Sequence, residues 1–285
     1  MLVLVSGHGR VSRVIAGALA ALPGQRRFAG IKPSGNAFAA DLGFSLAPGI
    51  ATPADRALAI AGATDLVVAP AFDPRGIEHL LALVRGARYA GVQRVHVLSL
   101  AGADVRSPVT LLRWIGLMER EARESGLPHT LLRCGPFMQA IPMFLRRDPQ
   151  GLALVGPFRD TAFPWIDAED AGEVLAGVVR RAEQTNIACE LSGGEAANFE
   201  TVARAMSEVS GEPVRYVDVC LPEAQGTLQA AGFSPQRVRA VTEYWDYLVS
   251  GVVRASCCDL ARQLLGRPAH SLREFLERQD ALQPA

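Results

Sequence analysis

The chain has 285 residues, 49% of them hydrophobic, and 29 basic side chains balance 29 acidic ones, which allows one large α/β core with a subsidiary lobe and gives no net charge to attract nucleic acid or an anionic membrane surface. Five cysteines (Cys134, Cys189, Cys220, Cys257, Cys258) lack C-x-x-C or zinc-ligand spacing and are read as reduced, mostly buried thiols of a cytoplasmic protein. The chain opens in a strand pattern, so no leader is expected, and it holds no apolar run long enough to span a bilayer.

The strand pattern Leu2–Val5 meets a glycine turn at Ser6-Gly7-His8-Gly9. A helical period follows, with Val11, Ile15, Ala18, Leu19 and Leu22 on one face. Arg27–Lys32 reads as a second strand that ends in the turn Pro33-Ser34-Gly35. Two weaker units lead to a helix over Pro53–Ala61, and then come a buried strand at Asp65–Ala69, a helix at Gly76–Ala90, a strand at Arg94–Leu100, a helix at Pro108–Ser125 and a strand at Pro128–Arg133. This alternation specifies right-handed βαβ crossovers, and hence a doubly wound parallel sheet with helices on both faces. Beyond Ala140 the rhythm breaks into loops and short strands up to Trp165. Acids at Asp167, Glu169 and Asp170 open a helix, a strand covers Ile187–Leu191, a helix Asn198–Ser210 and a strand Val214–Val219, and several helices close the chain. The expected division is a dinucleotide-binding domain over 1–140 and a smaller α/β substrate lobe over 141–285, with 185–193 able to return a strand to the main sheet.

Strand, glycine turn and helix form the geometry that cradles a pyrophosphate, because the glycines let the phosphate approach the backbone and the helix N-terminus favours negative charge. Gly7-x-Gly9-x-x-Ser12 fits the dinucleotide fingerprint except at its last position. A NAD-type site places an acid about twenty residues further on to hold the ribose hydroxyl. No acidic residue occurs before Asp41, whereas Arg10, Lys32 and Ser34 are available. The expectation is therefore NADP(H) in preference to NAD(H).

Lys32 is the single lysine, an arginine bias of the kind a high-GC bacterial genome produces, and no tyrosine stands four positions before it. A Tyr-x-x-x-Lys proton-transfer pair is thus excluded. Hydride transfer remains possible to an acceptor that spreads the incoming charge, such as a quinone or another conjugated aromatic compound. Ser99, Asp104, Arg106, Arg113 and Trp114 are the candidates for positioning it. The chain lacks a G-x-S-x-G elbow and any metal-binding histidine spacing, so serine hydrolysis and a catalytic metal are not expected.

The segments HVLSLAGADVRSP (96–108), GLPHTLLRCGPFMQ (126–139), WIDAEDAGEVL (165–175), ELSGGEAANFETVARAMSEVSGEPVRYVDV (190–219) and LLGRPAHSLREFLE (264–277) together resemble the NmrA-like branch of the atypical short-chain dehydrogenase/reductases, in that family's order and spacing. The resemblance implies a Rossmann fold, NAD(P)(H) at the N-terminal turn and a small-molecule cleft beneath the C-terminal half. It implies that Gly7, His8, Gly9, Arg10 and Val11 form the pyrophosphate turn, and that Lys32 lies near the position where NADP-preferring members carry arginine. Ala71 and Phe72 would flank the cofactor ribose and Ser99 the nicotinamide. Gly135, Pro136, Phe137 and Met138 would close over nicotinamide and substrate, with Trp165 also on the substrate side. The chain departs from the family at Ser6 and Ser12, usually glycine, at Cys134, usually proline, and at Ile115 and Leu117, where many members carry a polar residue. The expected function is an NAD(P)H-dependent reductase of a conjugated, quinonoid or aromatic small molecule, with secondary metabolism as its expected setting, acting as a monomer or homodimer. A cofactor-sensing regulator without catalysis and a non-redox cyclase or isomerase are the alternatives.

Overall fold

Leu2–Ser6 (β1) is buried along its whole length, as an aliphatic run becomes when both faces of a parallel sheet are covered. A computed structural model of the chain describes residues 1–7, 9–31, 36–69, 72–181, 186–254 and 256–278. His8, Lys32, Ser34 and Ala71, expected at the cofactor site, lie outside the described residues.

β1 pairs in parallel with Arg26–Gly30 (β2) on one side and Asp65–Ala69 (β4) on the other. Ser45–Leu46 (β3), Arg94–Leu100 (β5), His129–Cys134 (β6) and Ile187–Leu191 (β9) complete a seven-stranded sheet in the order β3-β2-β1-β4-β5-β6-β9. The chain runs outward through β2 and β3, then returns to β4 on the other flank of β1. The reversal falls between β1 and β4, the position at which doubly wound sheets bind ligands beyond their strand carboxyl ends.

The crossover helices are Arg10–Ala20 (α1), Ala37–Asp41 (α2), Pro53–Ile60 (α3), Pro74–Ala87 (α4) and Thr110–Glu124 (α5). α3 begins with a reciprocal capping box between Thr52 and Asp55. α4 begins with Asp73 accepting from the Gly76 amide. Each cap satisfies amides that the helix itself leaves unbonded. On the other face of the sheet, Ala168–Arg180 (α6) crosses α1, and Gly172 permits their contact: a Cβ there would stand 2.6 Å from Ala18 Cβ.

Beneath the main sheet, Asp65 is held by Arg94 at 2.7 Å and by His96 Nε2 at 3.2 Å. Burial alone would raise its carboxyl pKa, but the bonds from His96 and Arg94 outweigh burial and lower it. Asp65 therefore contributes stability above about pH 4 that is lost as the pH falls through its depressed folded value. Asp65→Asn is expected to flatten the acid limb of a Tm-against-pH profile. An unchanged limb would mean that other carboxylates set it.

In the second half, a 3-10 segment over Met138–Phe144 leads into the antiparallel pair Leu145–Asp148 (β7) and Gly151–Gly156 (β8). Val214–Asp218 (β10) joins β8 in parallel as a separate three-stranded sheet, so the stretch expected to be mainly loop is organised by a strand far along the chain. Phe199–Ser210 (α7) packs on β10. Leu221–Ala230 (α8), Pro235–Val249 (α9), Asp259–Leu265 (α10) and Leu272–Glu277 (α11) follow. The lobe core is aromatic: Phe158 stacks on Phe199 at 4.5 Å, and Phe144, Phe163, Trp165 and Trp245 surround the pair.

The cysteine expectation requires correction. Cys189 on β9 and Cys258 at the N-cap of α10 form a disulfide across 69 residues. Neighbouring spacing could not reveal it, because the pair depends on Cys258 docking beside β9, where its amide bonds the Glu190 carbonyl. The disulfide also removes the support that the cysteine pattern lent to a cytoplasmic location. No helix among the described residues is long and apolar enough to cross a membrane.

Candidate functional site

The first intrahelical bond of α1 runs from the Arg13 amide to the Gly9 carbonyl, so the amides of the preceding turn have no acceptor within the helix. Gly9 is the N-cap. It provides no side-chain cap, and the first turn carries no acid. Among the described residues nothing stands within 4 Å of a Cβ on Gly9 at the head of α1, which lies at the carboxyl edge of β1 beside the topological switch.

The two serines that break the glycine pattern do not fill that space. Ser6 Oγ donates to Ser12 Oγ at 2.6 Å, with Ser6 fully buried and Ser12 8% exposed. Each hydroxyl satisfies the other beneath the turn, as a buried polar group must be satisfied. The residues present thus fit a dinucleotide: the backbone of the turn and the start of α1 would hold its diphosphate, with Val11 packed against the core on the inner side.

Past the switch, Phe72 is half-buried against the core. Ser99, expected beside the nicotinamide, lies near the carboxyl end of β5. It is fully buried, and its hydroxyl donates to Glu119 Oε1 at 2.6 Å. Glu119, 1% exposed on α5, also accepts from Arg133 at 2.8 and 2.6 Å and from Arg123 at 3.1 Å. The Glu119 hydrogen bond raises the guanidinium pKa of Arg133. Ser99 and Arg133 are directly opposed on β5 and β6, so Glu119 clasps the two strands. The sequence carried a signal for this: Glu119 lies four residues after Ile115 and three before Ala122, on the apolar stripe of its helix.

Of the other positioning candidates, Asp104 is exposed and accepts from the Arg106 amide at 2.6 Å. Arg113 is bonded to the Ser107 and Pro108 carbonyls and to Thr110. Trp114 is half-buried against the main core. The loop carrying Asp104 passes closely over α5, where a Cβ on Gly116 would lie 2.4 Å from the Asp104 carbonyl carbon.

The segment Gly135–Met138 leaves β6 at the edge of the crevice. The Gly135 amide bonds Leu191, Pro136 O accepts from the Ile166 amide, and the Met138 amide returns to Ile166 O. Phe137 is half-buried, whereas Met138 is buried. Trp165, expected on the substrate side, is 4% exposed in the aromatic core, and its indole N–H donates to the Ala197 carbonyl at 2.9 Å. Ser99 and Trp165 are both buried and hydrogen-bonded within the protein. Burial raises the Cys134 thiol well above the ordinary thiol range, which disfavours a thiolate nucleophile.

Asp167, Glu169 and His270 bring oxygen and nitrogen atoms within 4.8 Å of one another. Asp167 accepts from Gln139, the Glu169 amide and Arg278, while Asp170 pairs with Arg267 at 2.8 Å. The cluster ties the C-terminal segment to the start of α6.

These features define an α/β protein with a Rossmann-like, doubly wound parallel sheet. The NmrA-like family model matches residues 57–241, and the chain belongs to that family. It is 29% identical over 222 residues to the NAD(P)H azoreductase of Xenophilus azovorans, covering 76% of each chain. In fold it is similar to the NADPH-dependent quinone oxidoreductase of Escherichia coli in complex with NADPH (TM-score 0.77, 20% identity, 97% of this chain and 98% of that one). It is likewise similar to the Citrobacter sp. triphenylmethane reductase complexed with NADP(H) (TM-score 0.76, 21% identity, 98% and 100%).

Proposed function

We propose that the protein is an NAD(P)H-dependent reductase of a conjugated small molecule, an azo, quinonoid or cationic aromatic compound. The observation that carries the reading is the open, acid-free N-terminus of α1 at the switch point, in a chain related to an NAD(P)H azoreductase. The nicotinamide cofactor supplies the hydride when bound. The α1 turn holds its diphosphate, Phe72 flanks the ribose, the Gly135–Phe137 segment borders the nicotinamide, and Trp114 and Phe137 offer apolar surface to the acceptor. Ser99 supports the site through Glu119. No Tyr-x-x-x-Lys pair is required, because the acceptor delocalises the arriving charge and water completes the proton transfer.

We assign the cofactor as NADP(H) in preference to NAD(H) on the absence of any acid before Asp41 and the presence of Lys32 in the sequence. Calorimetric titration should detect NADPH binding below millimolar concentration, with NADPH oxidation on addition of an azo dye or a naphthoquinone. No binding at millimolar NADPH would sink the reductase reading, and binding without turnover across both acceptor classes would favour a cofactor sensor. Lys32→Glu is expected to weaken NADPH about tenfold while changing NADH little. Equal losses would remove the 2′-phosphate assignment.

A further inference from the structure

Helix α9 carries two tyrosines over the same end of the sheet. Tyr247 lies across the turn after β5: a Cβ on Gly102 would come 2.4 Å from its hydroxyl oxygen. Tyr244 stacks beside it, ring centroids 6.3 Å apart and planes 21° apart. Tyr244 is also near enough to Cys134, the last residue of β6, for the charge of one group to act on the other. Both phenols therefore stand at the carboxyl edges of β5 and β6, on the flank of the switch opposite β2 and β3. In a doubly wound sheet the two halves of a dinucleotide lie on opposite sides of the switch.

Tyr244 is 8% exposed, yet its hydroxyl has no hydrogen-bond partner among the described residues. The hydroxyl is also not among the fully enclosed unpartnered atoms, so it keeps a trace of solvent exposure. The hydroxyl of Tyr216 behaves differently. Tyr216 donates to the Gly156 carbonyl and accepts from the Phe158 amide, both within the lobe. A nearly buried phenol whose single polar atom has no partner among the described residues calls for an explanation outside the protein's own hydrogen bonding.

We infer that Tyr244 is the hydrogen-bond donor for the acceptor molecule, its hydroxyl receiving the oxygen or nitrogen on which negative charge accumulates during reduction. The inference rests on the reductase reading and adds the atom that contacts substrate. Burial, with the neighbouring Tyr247 and Cys134, raises the Tyr244 pKa, so the phenol keeps its proton through neutral pH and acts as a donor. The balance is simple: hydride carries two electrons and one hydrogen to the acceptor, the charge settles on its conjugated heteroatom, Tyr244 stabilises that charge, and water supplies the second hydrogen as a proton. A preformed donor aimed at developing charge is the arrangement that lowers such a barrier most.

The test compares wild type with Tyr244→Phe, which retains the ring and its packing, and uses Tyr89→Phe on the exposed surface as a control. Tryptophan-fluorescence titration measures binding of 2-hydroxy-1,4-naphthoquinone, an enolate at neutral pH, and of naphthalene, which has the same rings without oxygen, each with and without NADP+. Tyr244→Phe is expected to weaken the enolate about tenfold or more, to leave naphthalene unchanged, and to lower kcat more than it raises KM. Equal shifts for both probes, or none for either, would overturn the assignment and leave Tyr244 as a packing residue. Turnover and NADPH binding in the wild type with no enolate-specific loss would reject Tyr244 while the reductase reading stands. An enolate-specific loss in a protein that binds no NADPH would reject the reductase reading and keep Tyr244 as the donor of an anion site.

Discussion

Gly9→Asp is expected to abolish cofactor binding while leaving the protein as stable as before, or slightly more so. Gly9 has φ −69°, an ordinary conformation for any residue, and a Cβ there meets none of the described residues within 4 Å, so an aspartate is expected to enter without strain. At the N-cap its carboxylate can accept from the α1 amides, which typically adds about 0.5–1 kcal/mol of stability over an uncapped start. The same carboxylate would occupy the diphosphate cradle. It repels a group of like charge at a few ångströms, where each charge pair is worth about 4 kcal/mol at the effective dielectric of a protein surface. The NADPH dissociation constant should therefore rise at least ~100-fold, read by calorimetry, with Tm unchanged or higher. Unchanged NADPH affinity would place the diphosphate elsewhere and remove the α1 turn from the site.

Glu119→Ala should produce the largest loss of stability from one side chain in the dinucleotide-binding half, about 3–5 kcal/mol in urea denaturation. Deleting one partner of a buried charge pair leaves the other uncompensated. Here two groups are stranded together, the Arg133 guanidinium and the Ser99 hydroxyl. Glu119→Gln keeps the shape and one acceptor oxygen, so a smaller loss is expected. Ser99→Ala should cost about 1–2 kcal/mol alone and much less in the Glu119→Ala background, because both changes break one network. A Glu119→Ala loss below about 1 kcal/mol would show that solvent or rearrangement replaces the carboxylate. The clasp joins β5 to β6 next to the proposed acceptor site, so kcat should fall with stability.

The two variants separate the features that local sequence makes visible from those it hides. The Gly9 site was legible because its parts are contiguous: an aliphatic strand, two glycines and a helical period lie within a short stretch, and strand and helix periods differ enough to be read directly. Of the Glu119 clasp only the acid on an apolar stripe was legible, since its other members come from β5 and β6. Only the pairing register of Ser99 with Arg133 brings them together.

By itself the sequence determined the parallel alternation, the turn at the head of α1, the absence of a Tyr-x-x-x-Lys pair and the resemblance to the NmrA-like family, all properties of neighbouring residues or of spacing along the chain. The tertiary structure decided that Ser6 and Ser12 bond each other instead of obstructing the cradle, that Trp165 belongs to the core, that Cys189 meets Cys258, and that Tyr244 and Tyr247 overlook the ends of β5 and β6. Each of those outcomes depends on which surfaces meet once distant segments pack, and periodicity carries no record of that because it fixes the face a residue occupies and leaves its partner open.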